Sequence, residues 1–201
     1  MILLTMRLIL AFDVFGTLLD TSSFPQEIRR KQLELTWVYT VMEKFVPFRE
    51  ITRQAIRDYL LVNEGKEEEL MNSWLNLKAY PDVKFLGDIS ALADVFALSN
   101  GSVEEVKDHL RRNGILGFFK GIVSAEEVRA YKPSPRVYKH FMESVGYPAF
   151  LVSSNWFDLM GARNAGMGTI YLNRRMEKLA LEVDVIARDL EKLAQYLREK
   201  A

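Results

Sequence analysis

The sequence predicts an α/β fold: a doubly wound parallel sheet with a small all-helical insertion after its first strand. Three observations carry this. Leu8-Ile9-Leu10-Ala11-Phe12 is an unbroken apolar run ending in Asp13, the pattern of a strand buried on both faces. From Pro25 to about Leu77 apolar residues recur at helical spacing, with no strand signal. Beyond residue 80, short apolar runs alternate with helical segments, as a parallel sheet with crossover helices requires.

At 201 residues, one core domain plus a modest insertion is the natural expectation. The 27 Lys and Arg residues balance 27 Asp and Glu, so net charge makes no case for nucleic acid or an anionic membrane as partner. The absence of cysteine excludes disulfides, thiolate nucleophiles and cysteine-held metals. The apolar stretch Met1 to Leu10 is too short to span a membrane. It also lacks the basic leader and cleavage site of a signal peptide, so the expected location is cytoplasmic.

Taken in order, the first strand ends near Asp13. Ile28, Leu35, Val38, Met42 and Phe45 predict one long amphipathic helix, interrupted by Pro47. Ile51, Ala55, Ile56, Tyr59 and Leu60 predict a second helix. A third follows Glu67-Glu68-Glu69, whose charges suit a helix N-terminus. A helix through Leu86, Ile89 and Leu92 then leads into a strand, Val95 to Leu98. Ser102 and Glu105 form a capping-box pattern for the next helix, which Gly114 closes. Gly121 to Ser124 is a short strand. Ser134 and Pro135 open a helix that Gly146 stops. Phe150 to Val152 and Thr169 to Leu172 are strands flanking a short helix. Val183 to Ile186 is a last strand, and Ile186, Leu190, Leu193 and Leu197 mark a C-terminal helix.

Polar groups gather at the ends of three predicted strands: Asp13, Ser99-Asn100, and Ser153 through Asp158. Lys132 lies on a loop between strand and helix. In a parallel sheet these ends share one edge, where ligands bind. Asp13 is then a candidate carboxylate nucleophile, with Lys132 to neutralise and orient it and Asp158 to pair with Lys132 or position water. Each has an ordinary alternative. Asp13, Thr17 and Ser99 suit turn or cap positions, Lys132 suits an exposed Pro-rich turn, and Asp158 suits a helix N-terminus. His109 and His140 sit in predicted helices among polar neighbours and read as structural or solvent-facing. That leaves no Ser-His-Asp arrangement and no His-rich metal site. No glycine-rich nucleotide fingerprint occurs.

Four segments in this order carry a resemblance: Asp13-Val14-Phe15-Gly16-Thr17, Leu98-Ser99-Asn100-Gly101, Tyr131-Lys132-Pro133, and Ser153-Ser154-Asn155 with Asp158. They resemble the motifs of the haloacid dehalogenase superfamily, and the match spans nearly the whole chain. The resemblance implies a Rossmann-like core over 1–19 and 80–201 and a helical cap over 20–79. Phosphatases of the superfamily carry an acid two residues after the nucleophile, where this chain has Phe15. They also supply an aspartate to Mg²⁺, where this chain has Ser154. Without that acid and that metal ligand, phosphoryl transfer lacks its proton donor and its cation clamp. Halide is a weak base and leaves without a proton.

The resemblance therefore narrows to the L-2-haloacid dehalogenases, which also share a cap segment like Arg29 to Trp37. It implies hydrolysis of L-2-haloalkanoic acids to D-2-hydroxyacids, with inversion, through an ester on Asp13, and with no metal or cofactor. Arg29, Asn100 and Phe157 would surround the halide. Ser99 and the backbone N–H groups near Val14 and Phe15 would hold the substrate carboxylate. Thr17 would hydrogen-bond Asp13, and Lys132, Ser153, Asn155 and Asp158 would position water and nucleophile. Tyr138 matches a tyrosine near the site. Leu33 and Phe48 would add apolar cap contacts. Without the resemblance Arg29 reads as a solvated cation, and Leu33 and Phe48 as ordinary cap core. Trp156 precedes Phe157, which leaves open which ring lines the halide pocket. Dimers are usual in the family, so a homodimer is implied. Two other functions stay in view: a Mg²⁺-dependent phosphatase and a non-catalytic protein that binds ligands in the cap cleft.

Overall fold

The structure, a computed structural model, describes residues 7–178 and 181–200. Part of the apolar stretch Met1 to Leu10 thus lies outside the described residues. Six parallel strands form one sheet: β1 (Ile9–Phe12), β2 (Asp94–Ser99), β3 (Gly121–Ser124), β4 (Ala149–Ser153), β5 (Gly168–Leu172) and β6 (Val185–Ala187). Their order is β3-β2-β1-β4-β5-β6. The chain winds outward from β1 through β2 to β3, then returns to β4 on the other side. The reversal of direction therefore falls between β1 and β4, where an open α/β sheet leaves a crevice. Every residue of β1 is buried, as the unbroken apolar run requires.

The helices are α1 (Gln26–Val41), α2 (Phe48–Leu60), α3 (Glu67–Leu75), α4 (Leu86–Leu92), α5 (Val103–Arg112), α6 (Pro135–Val145), α7 (Trp156–Asn164) and α8 (Leu190–Lys200). The first three lie between β1 and the rest of the sheet strands in sequence. The chain enters and leaves this block side by side: Asp20 N–H donates to the Lys78 carbonyl at 2.7 Å, and Tyr80 N–H to the Leu18 carbonyl at 2.9 Å. No described helix is long and apolar enough to cross a membrane.

The pattern fails on α1. The helix ends at Val41, and Val38, Val41 and Met42 are exposed. Its inward face is Ile28, Gln32 and Thr36, a strict i, i+4, i+8 row. Two of the three are polar, so apolar periodicity finds only Ile28 of this row; Leu35 and Phe45 are partly buried against the core, and Val38 and Met42 face outward. Gln32 and Thr36 satisfy themselves locally: Gln32 Nε2 donates to Thr52 Oγ1 at 2.6 Å, and Thr36 Oγ1 to the Leu33 carbonyl at 2.6 Å. Ile186 belongs to β6, where it is exposed, and not to the C-terminal helix.

Candidate active site

Register brings the polar strand ends together. Phe12 pairs with Ala97 on one side and Val152 on the other, so Asp13 emerges level with the ends of β2 and β4. Gly16 then takes φ +88°, a left-handed conformation that only glycine adopts without strain. The turn it permits sends Thr17 back toward Asp13.

Both oxygens of the buried Asp13 carboxylate are held. Oδ2 accepts Thr17 Oγ1 at 2.7 Å, Asn155 Nδ2 at 2.7 Å and, more weakly, Ser153 Oγ at 3.4 Å. Among the described residues Oδ1 accepts only Lys132 Nζ, at 2.7 Å. The Lys132 ammonium spends its other two protons on Asp158 Oδ2 at 2.6 Å and the Leu98 carbonyl at 3.0 Å. Asp158 also accepts Tyr138 Oη at 2.6 Å. Burial opposes the charge on Lys132, but the carboxylates of Asp13 and Asp158 outweigh it, and the Lys132 pKa stands above its ordinary value. Burial raises the Asp158 pKa, with Asp13 adding repulsion against the pull of Lys132. Burial likewise pushes the Tyr138 hydroxyl up. Close packing makes the cluster possible: a Cβ on Gly161 of α7 would lie 2.7 Å from Pro133 and from the Tyr138 ring.

Second contacts orient the first. Thr17 Oγ1 accepts the Ser154 amide at 2.9 Å, and Ser153 Oγ accepts the Asn155 amide at 3.0 Å. Asn100 Oδ1 accepts the Lys132 amide at 2.9 Å. That bond fixes the amide orientation and leaves the Asn100 NH₂ free for a ligand. Ser99 Oγ accepts the Gly101 amide at 3.1 Å. Among the described residues no acceptor takes the N–H of Val14 or Phe15.

Asp13, Phe15, Arg29, Leu33, Phe48, Asn100, Lys132, Asn155 and Phe157 enclose a small inner chamber. It opens toward an outer vestibule of about 400 Å³, and Phe15, Arg29, Leu33, Asn155 and Phe157 border both spaces. Phe157 walls the inner chamber, whereas Trp156 borders the vestibule but not the chamber and is 53% exposed. Val14, Thr17, Ser99, Tyr138, Ser153 and Asp158 do not line the inner chamber. Among the described residues no group of three or more His, Asp or Glu side chains is arranged to hold a metal ion. Phe15 is packed between aromatic rings, 5.8 Å from Phe48 and 4.6 Å from Trp74 by centroid.

Arg29 is a half-buried cation with no carboxylate in ion-pair range among the described residues. Its Nη1 donates to Gln32 Oε1 at 2.6 Å and its Nη2 reaches the Phe15 carbonyl at 3.5 Å. Burial lowers its pKa to about 10, against the attraction of Asp13. A half-buried guanidinium beside an apolar wall, with no counter-ion among the described residues, can receive a small anion. Sequence reasoning missed the residues that hold it. Gln32 and Thr52 look like solvent-facing helix polars, and only the i, i+4 spacing from Ile28 on α1 and from Phe48 on α2 marks their faces as buried.

Of its two readings, structural or solvent-facing, His109 takes the structural one. It is 2% exposed, packs edge-on 5.3 Å from Phe15, and neither ring nitrogen has a partner among the described residues. Burial, with Arg112 adding repulsion, lowers its pKa from 6.5 to about 4. A depressed folded pKa gives stability that is full above pH 6.5 and lost as pH falls toward 4, by up to about 3 kcal/mol. His109→Leu is expected to flatten that acid loss, read from urea-unfolding midpoints across the same window. A variant as acid-sensitive as the parent chain would contradict it. His140, by contrast, lies at the surface with Nε2 2.8 Å from Glu127.

The family model for haloacid dehalogenase-like hydrolases matches residues 10–172, and the chain belongs to that family. Within it, several relatives are named as haloacid dehalogenases. Haloacetate dehalogenase H-2 of Moraxella sp. (strain B) is 33% identical, with 82% of this chain and 85% of that protein covered. (S)-2-haloacid dehalogenase 2 of Pseudomonas sp. (strain CBS-3) is 32% identical, covering 92% and 93%. The L-2-haloacid dehalogenase of Xanthobacter autotrophicus, solved with chloropropionic acid covalently bound, has a TM-score of 0.84 at 25% identity, covering 98% and 100%. A dehalogenase solved as an intermediate complex reaches 0.88 at 27% identity, covering 94% and 96%.

Proposed function

We propose that this chain hydrolyses the carbon–halogen bond of L-2-haloalkanoic acids and yields D-2-hydroxyacids. The observation that carries the reading is the Asp13 carboxylate, with three donors on one oxygen and Lys132 on the other, lining a chamber whose wall also carries the Arg29 cation. Oδ1 has a single donor and keeps a lone pair for attack. It displaces halide from C2 in line, with inversion, and an ester joins C2 to Asp13. Arg29, the Asn100 NH₂ and the Phe157 ring receive the halide. The N–H groups of Val14 and Phe15 and the Ser99 hydroxyl hold the substrate carboxylate. Water then adds to the ester carbonyl, held by Lys132, Ser153, Asn155 and Asp158. The water oxygen stays in the Asp13 carboxylate, and the hydroxyacid departs with the original aspartyl oxygen.

The segment 20–79 acts in this reading as a cap over the sheet edge of a core formed by 1–19 and 80–201. The relative with chloropropionic acid covalently bound supports the ester step. A cytoplasmic homodimer completes the proposal. Exposed Val38, Val41, Trp156 and Met160 offer apolar surface for a second copy, which sedimentation velocity reads directly.

The test is chloride release from L-2-chloropropionate in EDTA, with turnover in H₂¹⁸O followed by mass spectrometry of the Asp13 peptide. Halide release that survives chelation, with label in that peptide, is the expected result. No halide release would overturn the reading, and Mg²⁺-dependent cleavage of p-nitrophenyl phosphate would replace it with a phosphatase.

A further inference from the structure

The capping pattern at the start of α5 is only half used. Ser102 Oγ accepts the Glu105 amide at 3.2 Å, but the Glu105 carboxylate does not return to the Ser102 amide. It accepts the indole N–H of Trp74 at 3.0 Å instead, from α5 of the core to α3 of the cap. Both side chains are buried, and Glu105 has no cation within ion-pair distance among the described residues. A carboxylate buried against one neutral donor costs free energy, and burial raises its pKa. Helix capping does not account for it, because it has turned away from its helix end.

What this carboxylate fixes is Trp74. The indole is wholly buried and packs 4.6 Å from Phe15 and 5.2 Å from Phe24 by centroid. The Arg29 guanidinium carbon lies 5.6 Å from the indole centroid. A cation at that distance is held by the negative face of the ring. A carboxylate accepting the indole N–H polarises the ring and deepens that negative face. The other contacts on the guanidinium are Gln32 and the long bond to the Phe15 carbonyl. Trp74 and Gln32 are thus the two cap side chains that set where Arg29 points.

We propose that Trp74, locked and polarised by Glu105, is the positioning residue that holds the Arg29 guanidinium at the chamber where the departing halide forms. The inference rests on the dehalogenase reading above. Charge on the halide develops in the transition state, so a misplaced Arg29 affects kcat more than KM. Chloride is the poorest leaving group of the series and depends on the cation most.

The experiment compares chloroacetate, bromoacetate and iodoacetate; the chain has no cysteine for these reagents to alkylate. In Trp74→Leu, kcat for chloroacetate is expected to fall about 10-fold further than kcat for iodoacetate, with KM within about twofold. Trp74→Phe keeps a ring without the N–H, and Glu105→Gln keeps an acceptor without the charge. Both are expected to shift the chloride-to-iodide ratio the same way by less, and they decide the matter if Trp74→Leu does not fold. Equal losses on all three substrates, or a rise in KM alone, would reduce Trp74 to packing and overturn the inference. Arg29→Lys separates the two levels. If it shifts the halide ratio and the Trp74 and Glu105 variants do not, this inference fails while the dehalogenase reading stands. If the unsubstituted protein releases no halide, both fall.

Discussion

Asp13→Asn is expected to release no measurable halide, a loss of about 10⁴-fold or more. The amide nitrogen's lone pair is delocalised into the carbonyl and does not attack C2, and the neutral amide oxygen is a poor nucleophile. The surroundings make the loss hard to bypass. Every group around the carboxylate is a donor: Thr17, Asn155 and Ser153 on one oxygen, Lys132 on the other. An asparagine must therefore turn its NH₂ toward a donor whichever way it flips. The expected stability cost is about 1–3 kcal/mol, the penalty for a buried donor left without an acceptor. The Lys132–Asp158 pair survives the change, so the variant is expected to stay folded, with near-native near-UV circular dichroism. Halide release at a tenth of the parent rate or more, from a folded Asp13→Asn protein, would remove Asp13 as the nucleophile.

The aspartate is legible in the sequence because two signals coincide there. A strand buried on both faces has no place for a carboxylate except its end, and Gly16 announces the turn that follows. Lys132 and Asp158 become legible only together with it, since the topology of a parallel sheet puts their loops on one edge. The support for Arg29 is not legible in the same way. Gln32, Thr36, Thr52, Glu105 and His109 are polar residues on helices, and binary patterning assigns such positions to solvent. All five are buried. Each lies four residues from another buried position on its own helix, so spacing holds their record even though residue type misleads. The same rule misplaced the apolar Val38 and Met42, which face outward. Phe15 is informative in both directions. Its absence of an acid argues against phosphate chemistry from sequence alone, and its place among Phe48, Trp74 and His109 gives a physical reason for an aromatic there.

Lys132→Met is expected to cost more stability than any other single change at the site, about 3–5 kcal/mol near neutral pH. Methionine fills most of the stem volume but returns none of the three bonds that Nζ makes to Asp13, Asp158 and Leu98. Two buried carboxylates are left facing one another without their shared cation. Asp158, whose pKa burial already raises, then relieves the repulsion by taking up a proton. A carboxyl whose folded pKa is raised contributes stability that is full below its unfolded value and lost as pH rises through the folded one. The deficit of Lys132→Met relative to the parent chain should therefore shrink on acidification, although acid destabilises most proteins. The parent chain has the complementary limb. Its Lys132 pKa is raised from 10.5, so that lysine's contribution is intact below pH 10.5 and disappears only in stronger alkali. Chemical-unfolding curves for both proteins from acid to alkali read both slopes. Halide release should fall by at least about 10²-fold, because Oδ1 loses its one fixed donor and no longer points at C2. A deficit that grows in acid, or one absent at every pH, would mean that Lys132 does not hold the two carboxylates together in solution.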